Sequence, residues 1–286
     1  MDSNTVEGDK SGAGEAPTGK FAQETVVRRI DDTVWEGEFS PDWNVGQVPN
    51  GGYALALGAK PLAEALPHAD PMTVSAYYVA RTEPGPVRCE VDVLRVGKAT
   101  STGMVRMVQN GETKIQIIAT YTDLDRISGE SYSNISIPDM PAYEDCVDTP
   151  IREFNQMRKQ LIQRMTGKNV RALQGEPDSS ATWMGWTDFA DGSEIDLFAL
   201  LMFADATPPP VFAIYGSKGW VPTLDLSVQI HRRPKPGPLR FMFNSPVMTE
   251  GTVDEDGWLW DSEDNLVALV RQTAKYRAKN QLIWNS

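Results

Sequence analysis

Arg81-Thr-Glu-Pro-Gly-Pro-Val-Arg88 returns later in the chain as Arg233-Pro-Lys-Pro-Gly-Pro-Leu-Arg240, an offset of 152 (233 − 81). Upstream, Thr33-Val-Trp-Glu-Gly-Glu38 resembles Ala181-Thr-Trp-Met-Gly-Trp186, with Trp35 and Gly37 matching Trp183 and Gly185 at an offset of 148 (183 − 35). Asn110-Gly111, ahead of one apolar run, matches Asp264-Asn265, ahead of another. Matches in the same order with a small drift in offset indicate two copies of one supersecondary unit. The chain must therefore build one small architecture twice.

The first copy shows what that unit is. Thr33 to Phe39 reads as a strand, and Ala54 to Leu66 as a helix with Asn50 as N-cap. Strand signals follow without another helix: Met72 to Val79, then Val87 to Val93 with Val87, Cys89, Val91 and Val93 on one face, then Thr102 to Val108 and Lys114 to Tyr121. Asn110-Gly111 reads as the hairpin turn between the last two. Each unit is thus a strand, a long helix and an antiparallel sheet, an α+β class.

In the second copy the helix is apolar all round from Leu197 to Ala206, except at Asp205. Such a helix belongs inside a fold and is too short to span a bilayer. Ser193 with Asp196 resembles a capping box, and Thr207 with Pro208, Pro209 and Pro210 stops the helix. Asp205 falls in the last turn, at the negative end of the helix dipole, where burial would raise its pKa. Either it points to water or it is a functional acid. Gly51 and Gly52 pose a similar choice. They permit close packing of a helix start, the stronger reading for a short Gly motif, or they leave N–H groups open to an anion.

Four segments are expected: a disordered tail over 1–20, which has little to bury; a first unit over 21–124; a linker over 125–180; and a second unit over 181–280. In the linker, Ile151, Phe154, Met157, Leu161 and Met165 at helical spacing predict a helix opened by Asp148-Thr-Pro150. Net charge is −12, against nucleic acid as a partner. The tail lacks the apolar core of a signal peptide, no run suits a membrane span, and Cys89 and Cys146 sit in no metal or redox motif, which together predict a cytoplasmic, disulfide-free chain. With His68 and His231 as the only histidines, mechanisms built on a catalytic His are restricted. No metal site is expected.

A helix wrapped by an antiparallel sheet, present twice, resembles the double hotdog fold. Within the second copy, Leu197 to Asp205, Trp220-Val-Pro-Thr-Leu-Asp-Leu-Ser227 and Asp256 to Gln272 resemble the acyl-CoA thioesterase II family. The resemblance spans roughly Trp35 to Tyr276. It departs where the family's T-x-D-H-S-M becomes Thr223-Leu-Asp-Leu-Ser-Val228, without the histidine. It implies hydrolysis of fatty acyl-CoA by a water held between Asp205, Gln272 and Thr223, with no cofactor beyond the coenzyme A of the substrate. It also implies that Gly51, Gly52 and Tyr53 meet the substrate, and that the protein is a homodimer or higher oligomer.

The residues carry part of this alone. Leu266, Ala268, Val270, Gln272, Ala274 and Tyr276 share one strand face, so Gln272 is the lone amide there. It is either bonded to backbone or partnered by Asp205. Thr223 lies opposite Leu224, Leu226, Val228 and Ile230, so alternation points it outward and only the resemblance selects it. At an offset of 152 its counterpart is Pro71 (223 − 152), so one site per chain is expected, in the second copy. Arg81, Arg232, Arg233, Lys235 and Arg240 read best as solvated hairpin charges. Two other functions compete: a non-catalytic acyl-CoA or acyl-carrier binding protein, and a dehydratase or hydratase of the same fold, which needs a placed histidine.

Overall fold

The computed structural model describes residues 18–277. The expected tail therefore lies outside the described residues as far as residue 17, and Lys20 already opens a short helix, Lys20–Glu24, that buries Phe21. The last residues assigned to the second unit, 278–280, also fall outside.

Six elements recur. The first copy has β1 (Val34–Phe39), α1 (Gly51–Ala65), β2 (Asp70–Tyr78), β3 (Gly85–Val96), β4 (Thr100–Gln109) and β5 (Glu112–Thr122). The second has β6 (Thr182–Phe189), α2 (Leu197–Phe203), β7 (Thr223–Ile230), β8 (Leu239–Thr249), β9 (Thr252–Trp260) and β10 (Leu266–Lys275). In each copy the strands pair antiparallel in the same order, β1-β3-β4-β5-β2 and β6-β8-β9-β10-β7. The copies join where β2 pairs with β7, giving one thirteen-stranded sheet among the described residues. This is the double hotdog architecture.

The seam explains the offset in the sequence. Ser75 and Ser227 are partners across β2 and β7, with their hydroxyls 2.8 Å apart. They are separated by 152 positions (227 − 75), the spacing of the two Pro-Gly-Pro hairpins, so the seam lies on the axis relating the copies. Trp35 and Trp183 sit fully buried on the matching strands β1 and β6. Asn110 and Gly111 take φ of 53° and 76°, and Asp264 takes 67°. The first pair fits a two-residue hairpin turn that needs left-handed backbone at both positions.

Both helices pack on one face of the sheet, and they run antiparallel. A Cβ on Gly52 at the start of α1 would lie 2.6 Å from the Met202 carbonyl oxygen and 2.7 Å from that of Leu201, at the end of α2. Only glycine permits that approach. Fully buried Leu55, Leu57 and Leu62 of α1 and Leu200, Leu201 and Met202 of α2 fill the space above the sheet. At roughly 1.5–3 kcal/mol per buried large aliphatic side chain, this layer is a main source of stability.

Three sequence expectations need correction. α2 is not long: it has seven residues against fifteen in α1. Its N-cap is Asp196, whose carboxylate accepts from the Ala199 amide at 2.6 Å, rather than Ser193. The linker helix is absent too. Val147–Asp148 and Leu161–Met165 are strands that extend the sheet beyond β6, and the helix in this region is Gly167–Leu173. The spacing Met157, Leu161, Met165 misleads because a step of four is also two steps of two. Leu161, Gln163 and Met165 alternate inward against β6, the strand period.

Candidate active site

A hairpin, Asn44–Val45 with Val48–Pro49, leads into α1 and is closed by the Asn50 amide donating to the Trp43 carbonyl at 3.0 Å. It delivers Asn50 as the expected N-cap, its Oδ1 accepting from the Tyr53 amide at 2.9 Å. Asn50 then reaches across to the second copy. Its Nδ2 donates to the Asp205 main-chain oxygen at 2.8 Å and to Asp205 Oδ2 at 3.0 Å. The Gly52 amide donates to the same Oδ2 at 3.1 Å.

The electrostatics of Asp205 are therefore the reverse of what α2 alone suggests. α2 ends at Phe203, so Asp205 lies in the turn beyond it, at the positive end of α1. Helix N-termini stabilise anions through unpaired amides and the dipole. The residue keeps some exposed surface, but its carboxyl group is enclosed by protein. Burial pushes its pKa up to about 6, and the amides of Gly52 and Gly51 and the Asn50 side chain oppose that rise. The result is a carboxylate that titrates near neutrality, the property a general base needs.

Gly51 and Gly52 thus lie against Asp205, and the amides of Gly52 and Tyr53 are committed to the chain's own acceptors. The Gly52 N–H goes to Asp205 and the Tyr53 N–H to Asn50, while the Gly51 carbonyl accepts from the Tyr78 hydroxyl at 2.8 Å. The close-packing reading describes Gly52, the anion at this helix start is the protein's own carboxylate, and the Gly52 and Tyr53 N–H groups expected to meet the substrate are turned to Asp205 and Asn50 instead.

A bulge puts Thr223 and Gln272 on the same face of adjacent strands. β7 pairs with β10 as Thr223 with Ala274 and Leu226 with Gln272, the register shifting between Thr223 and Asp225. Leu224 takes up the extra position, so Thr223 returns to the inner face that holds Leu226 and Gln272. Simple alternation pointed it outward because a bulge reverses the parity of everything before it. Gln272 is 5% exposed and on the apolar face, as its strand pattern requires. Asp205 is held by Asn50 and Gly52, with the Gly51 amide also acting on its carboxyl, and Gln272 is not among these partners.

Glu255 was missed by the sequence reading. It faces inward on β9 directly opposite Gln272 and is 7% exposed. Burial, with a further push from the Asp205 charge, raises its pKa to about 8. The alternation Val253, Glu255, Gly257, Leu259 on β9 was the signal that could have found it. The flanking Asp254 and Asp256, both paired with Arg271 on the outer face, mask it in an acidic run.

The histidines lie elsewhere. His68 lies just past the end of α1, its ring bonded to the Ser101 hydroxyl at 2.8 Å and the Lys98 carbonyl at 3.3 Å, and His231 follows β7. Three of the hairpin cations are paired: Arg233 with Asp70 at 2.7 Å, Arg240 with Asp264 at 2.9 Å and Lys235 with Glu263 at 4.0 Å. Among the described residues no group of three or more His, Cys, Asp or Glu is placed to hold a metal, and no helix is long and apolar enough to cross a membrane.

Known proteins share this organisation. Residues 39–122 match the acyl-CoA thioesterase N-terminal domain family and residues 139–275 the acyl-CoA thioesterase C-terminal domain family. An uncharacterised protein of Mycobacterium tuberculosis is 26% identical over 273 residues, covering 86% of this chain and 92% of its own. A crystal structure from Thermobifida fusca, described as a candidate thioesterase II, superposes with a TM-score of 0.84 at 26% identity, over 92% of this chain and 99% of that one. The acyl-CoA thioesterase II TesB2 of Mycobacterium marinum superposes at 0.73 with 18% identity, over 91% and 98%, a likeness of fold. With both copies matched and the helix pair closing on one buried carboxylate, this chain belongs to the double-hotdog acyl-CoA thioesterase family.

Proposed function

We propose that the protein hydrolyses fatty acyl-CoA to the free acid and coenzyme A, with Asp205 as general base. The observation that carries this reading is the Asp205 carboxylate, held on Oδ2 by Asn50 and Gly52 with a pKa near 6. Those bonds fix its orientation, and Oδ1 is the oxygen assigned to the water. Gln272 and Thr223, on the inner face of adjacent strands, are the groups assigned to hold that water, and the gain is one of orientation. A thioester needs only an activated water and a polarised carbonyl, so no cofactor enters the scheme.

Gly51, Gly52 and Tyr53 support the base in this scheme, and the thioester approaches from the side of Gln272. The buried site sits in the second copy, consistent with one site per chain. The absence of a histidine beside Asp205 disfavours a dehydratase. A homodimer or higher oligomer is part of the proposal, and a stable 31.6 kDa monomer at micromolar concentration in sedimentation would remove it.

The test is a panel of acyl-CoA chain lengths with detection of the free thiol. Turnover should rise with pH through about 6 as Asp205 ionises. A protein that binds acyl-CoA but releases no thiol at any chain length would be the non-catalytic binding protein instead.

A further inference from the structure

Resting on that reading, we infer that Glu255 is a second working acid of the same site: it hands a proton to the departing thiolate while Asp205 takes one from water. The geometry is specific. Glu255 and Gln272 are partners on β9 and β10, which places their side chains about 5 Å apart at Cβ on the inner face. Glu255 is 7% exposed, and its Oε1 is buried with no hydrogen-bond partner in the protein. A buried oxygen left unpaired is disfavoured unless something else supplies the partner. Here the open oxygen belongs to a carboxyl close enough to Asp205 to feel its charge.

The surroundings keep this carboxyl protonated. The charge that acts on Glu255 is that of Asp205, which is negative, and the Tyr78 phenol, which also feels Asp205, supplies no positive charge. β10 presents Gln272, β7 presents Leu226 and Thr223, and Ser245 sits in the β8 bulge opposite Glu255. Arg271, Asp254 and Asp256 pair on the outer face, and Lys275 bonds the Glu250 carbonyl. With burial and the negative Asp205 both acting on it, Glu255 is the carboxyl that stays neutral while Asp205 ionises first. The two acids then take different roles, Asp205 as base and Glu255 as acid.

The balance closes. The water oxygen bonds to the acyl carbon as Asp205 removes its proton. The C–S bond then breaks, its electron pair going to sulfur, and the Glu255 proton moves to that sulfur to give the free thiol. One proton passed from Asp205 to Glu255 restores both groups. A free thiol titrates near 8.5, so a donor near 8 is matched to it.

The experiment compares octanoyl-CoA with p-nitrophenyl octanoate, whose leaving group departs without a proton. Glu255→Gln should lower kcat on octanoyl-CoA by about 10²-fold, in the range of general-acid catalysis, with KM little changed. On the nitrophenyl ester the loss should stay well below that range. For the wild type, the fall in kcat above pH about 8 should be present with octanoyl-CoA and absent with the ester, a readout that does not need the variant to fold. Equal losses on both substrates, or the same basic limb on both, would overturn the role of Glu255. Asp205→Asn serves as the separate check. It should disable both reactions, and if it leaves both unchanged the hydrolytic reading itself fails.

Discussion

The two ends of the helix pair differ, although the fold relates them by a pseudo-two-fold axis. At the start of α1 stands Asp205, held by Asn50 and Gly52. At the start of α2 the corresponding space holds Lys60 from α1, with its Nζ 5.8 Å from the Phe198 ring centre and 5.9 Å from that of Phe21, donating to the Thr25 hydroxyl at 2.5 Å. Asp196 caps α2 and its charge partly offsets the lowering of the Lys60 pKa by burial. One end presents a carboxylate; the other is plugged by a lysine stem and the aromatic ring of the N-terminal helix.

The sheets below the helices repeat the contrast. In the first copy Trp35 Nε1 donates to Glu64 in the last turn of α1 at 2.6 Å. In the second, Trp183 Nε1 has no partner, and neither do Ser245 Oγ and Glu255 Oε1. α2 stops after seven residues, so nothing corresponds to Glu64. Among the described residues, the first copy leaves one buried side-chain oxygen, Asn44 Oδ1, without a partner. The second has left several open, the usual signature of a site whose stability is sacrificed to function.

Several variants sharpen or break this comparison. The largest effect is expected from Asp205→Asn, which should cut acyl-CoA turnover by roughly 10²–10⁴-fold, the range for a general base. Lys60→Met at the other end should change it by less than about 3-fold, since only the first group is assigned to water. Similar losses in thiol-release assays would erase the distinction. Gln272→Ala should also slow turnover, and the double variant with Asp205→Asn should be no slower than the worse single, because both act on one water.

Next comes stability against pH. Glu255 has a folded pKa near 8, above its usual value, so ionising it disfavours the folded state. Its contribution is fully present below the unfolded pKa of about 4.3 and is lost as pH rises through about 8. Glu255→Gln should therefore raise the unfolding free energy at pH 9 by a few kcal/mol, roughly 1.4 kcal/mol per unit of pKa, and leave it nearly unchanged at pH 4. Denaturant titrations at the two pH values decide this, and an equal gain at both would remove the charge argument.

A smaller loss is expected where the helices touch. Gly52→Ala places a methyl against two main-chain oxygens of α2 and should destabilise by about 1–3 kcal/mol, as overpacking does. Activity should fall as well, because separating the helices moves Asn50 away from Asp205. The smallest difference is between the two tryptophans. Trp35→Phe should destabilise by about 1 kcal/mol more than Trp183→Phe, the worth of one hydrogen bond. Thermal unfolding of the pair measures it.

Much of this molecule was legible without coordinates. The repeated Pro-Gly-Pro hairpins, the Trp-x-Gly strands and the Asn-Gly turn depend on local chemistry, so they marked two copies, their order and the spacing at the seam. Asn50 as a cap and Gln272 on an apolar face follow from helix and strand periods within a few residues. What needed the tertiary structure involves groups brought together from distant parts of the chain. Asp205 looked badly placed on its own helix, because the amides and dipole that stabilise it belong to α1, about 150 residues away (205 − 52). Thr223 looked outward because the bulge that turns it inward is a property of pairing with β10. The segment around Leu161 looked helical because its spacing suits both periods, and only the open edge of β6 decides for a strand. Glu255 looked like one acid among three until pairing with β10 set an amide opposite it and burial raised its pKa. A local pattern specifies an element; the field and the partner acting on a side chain come from whatever the fold sets beside it.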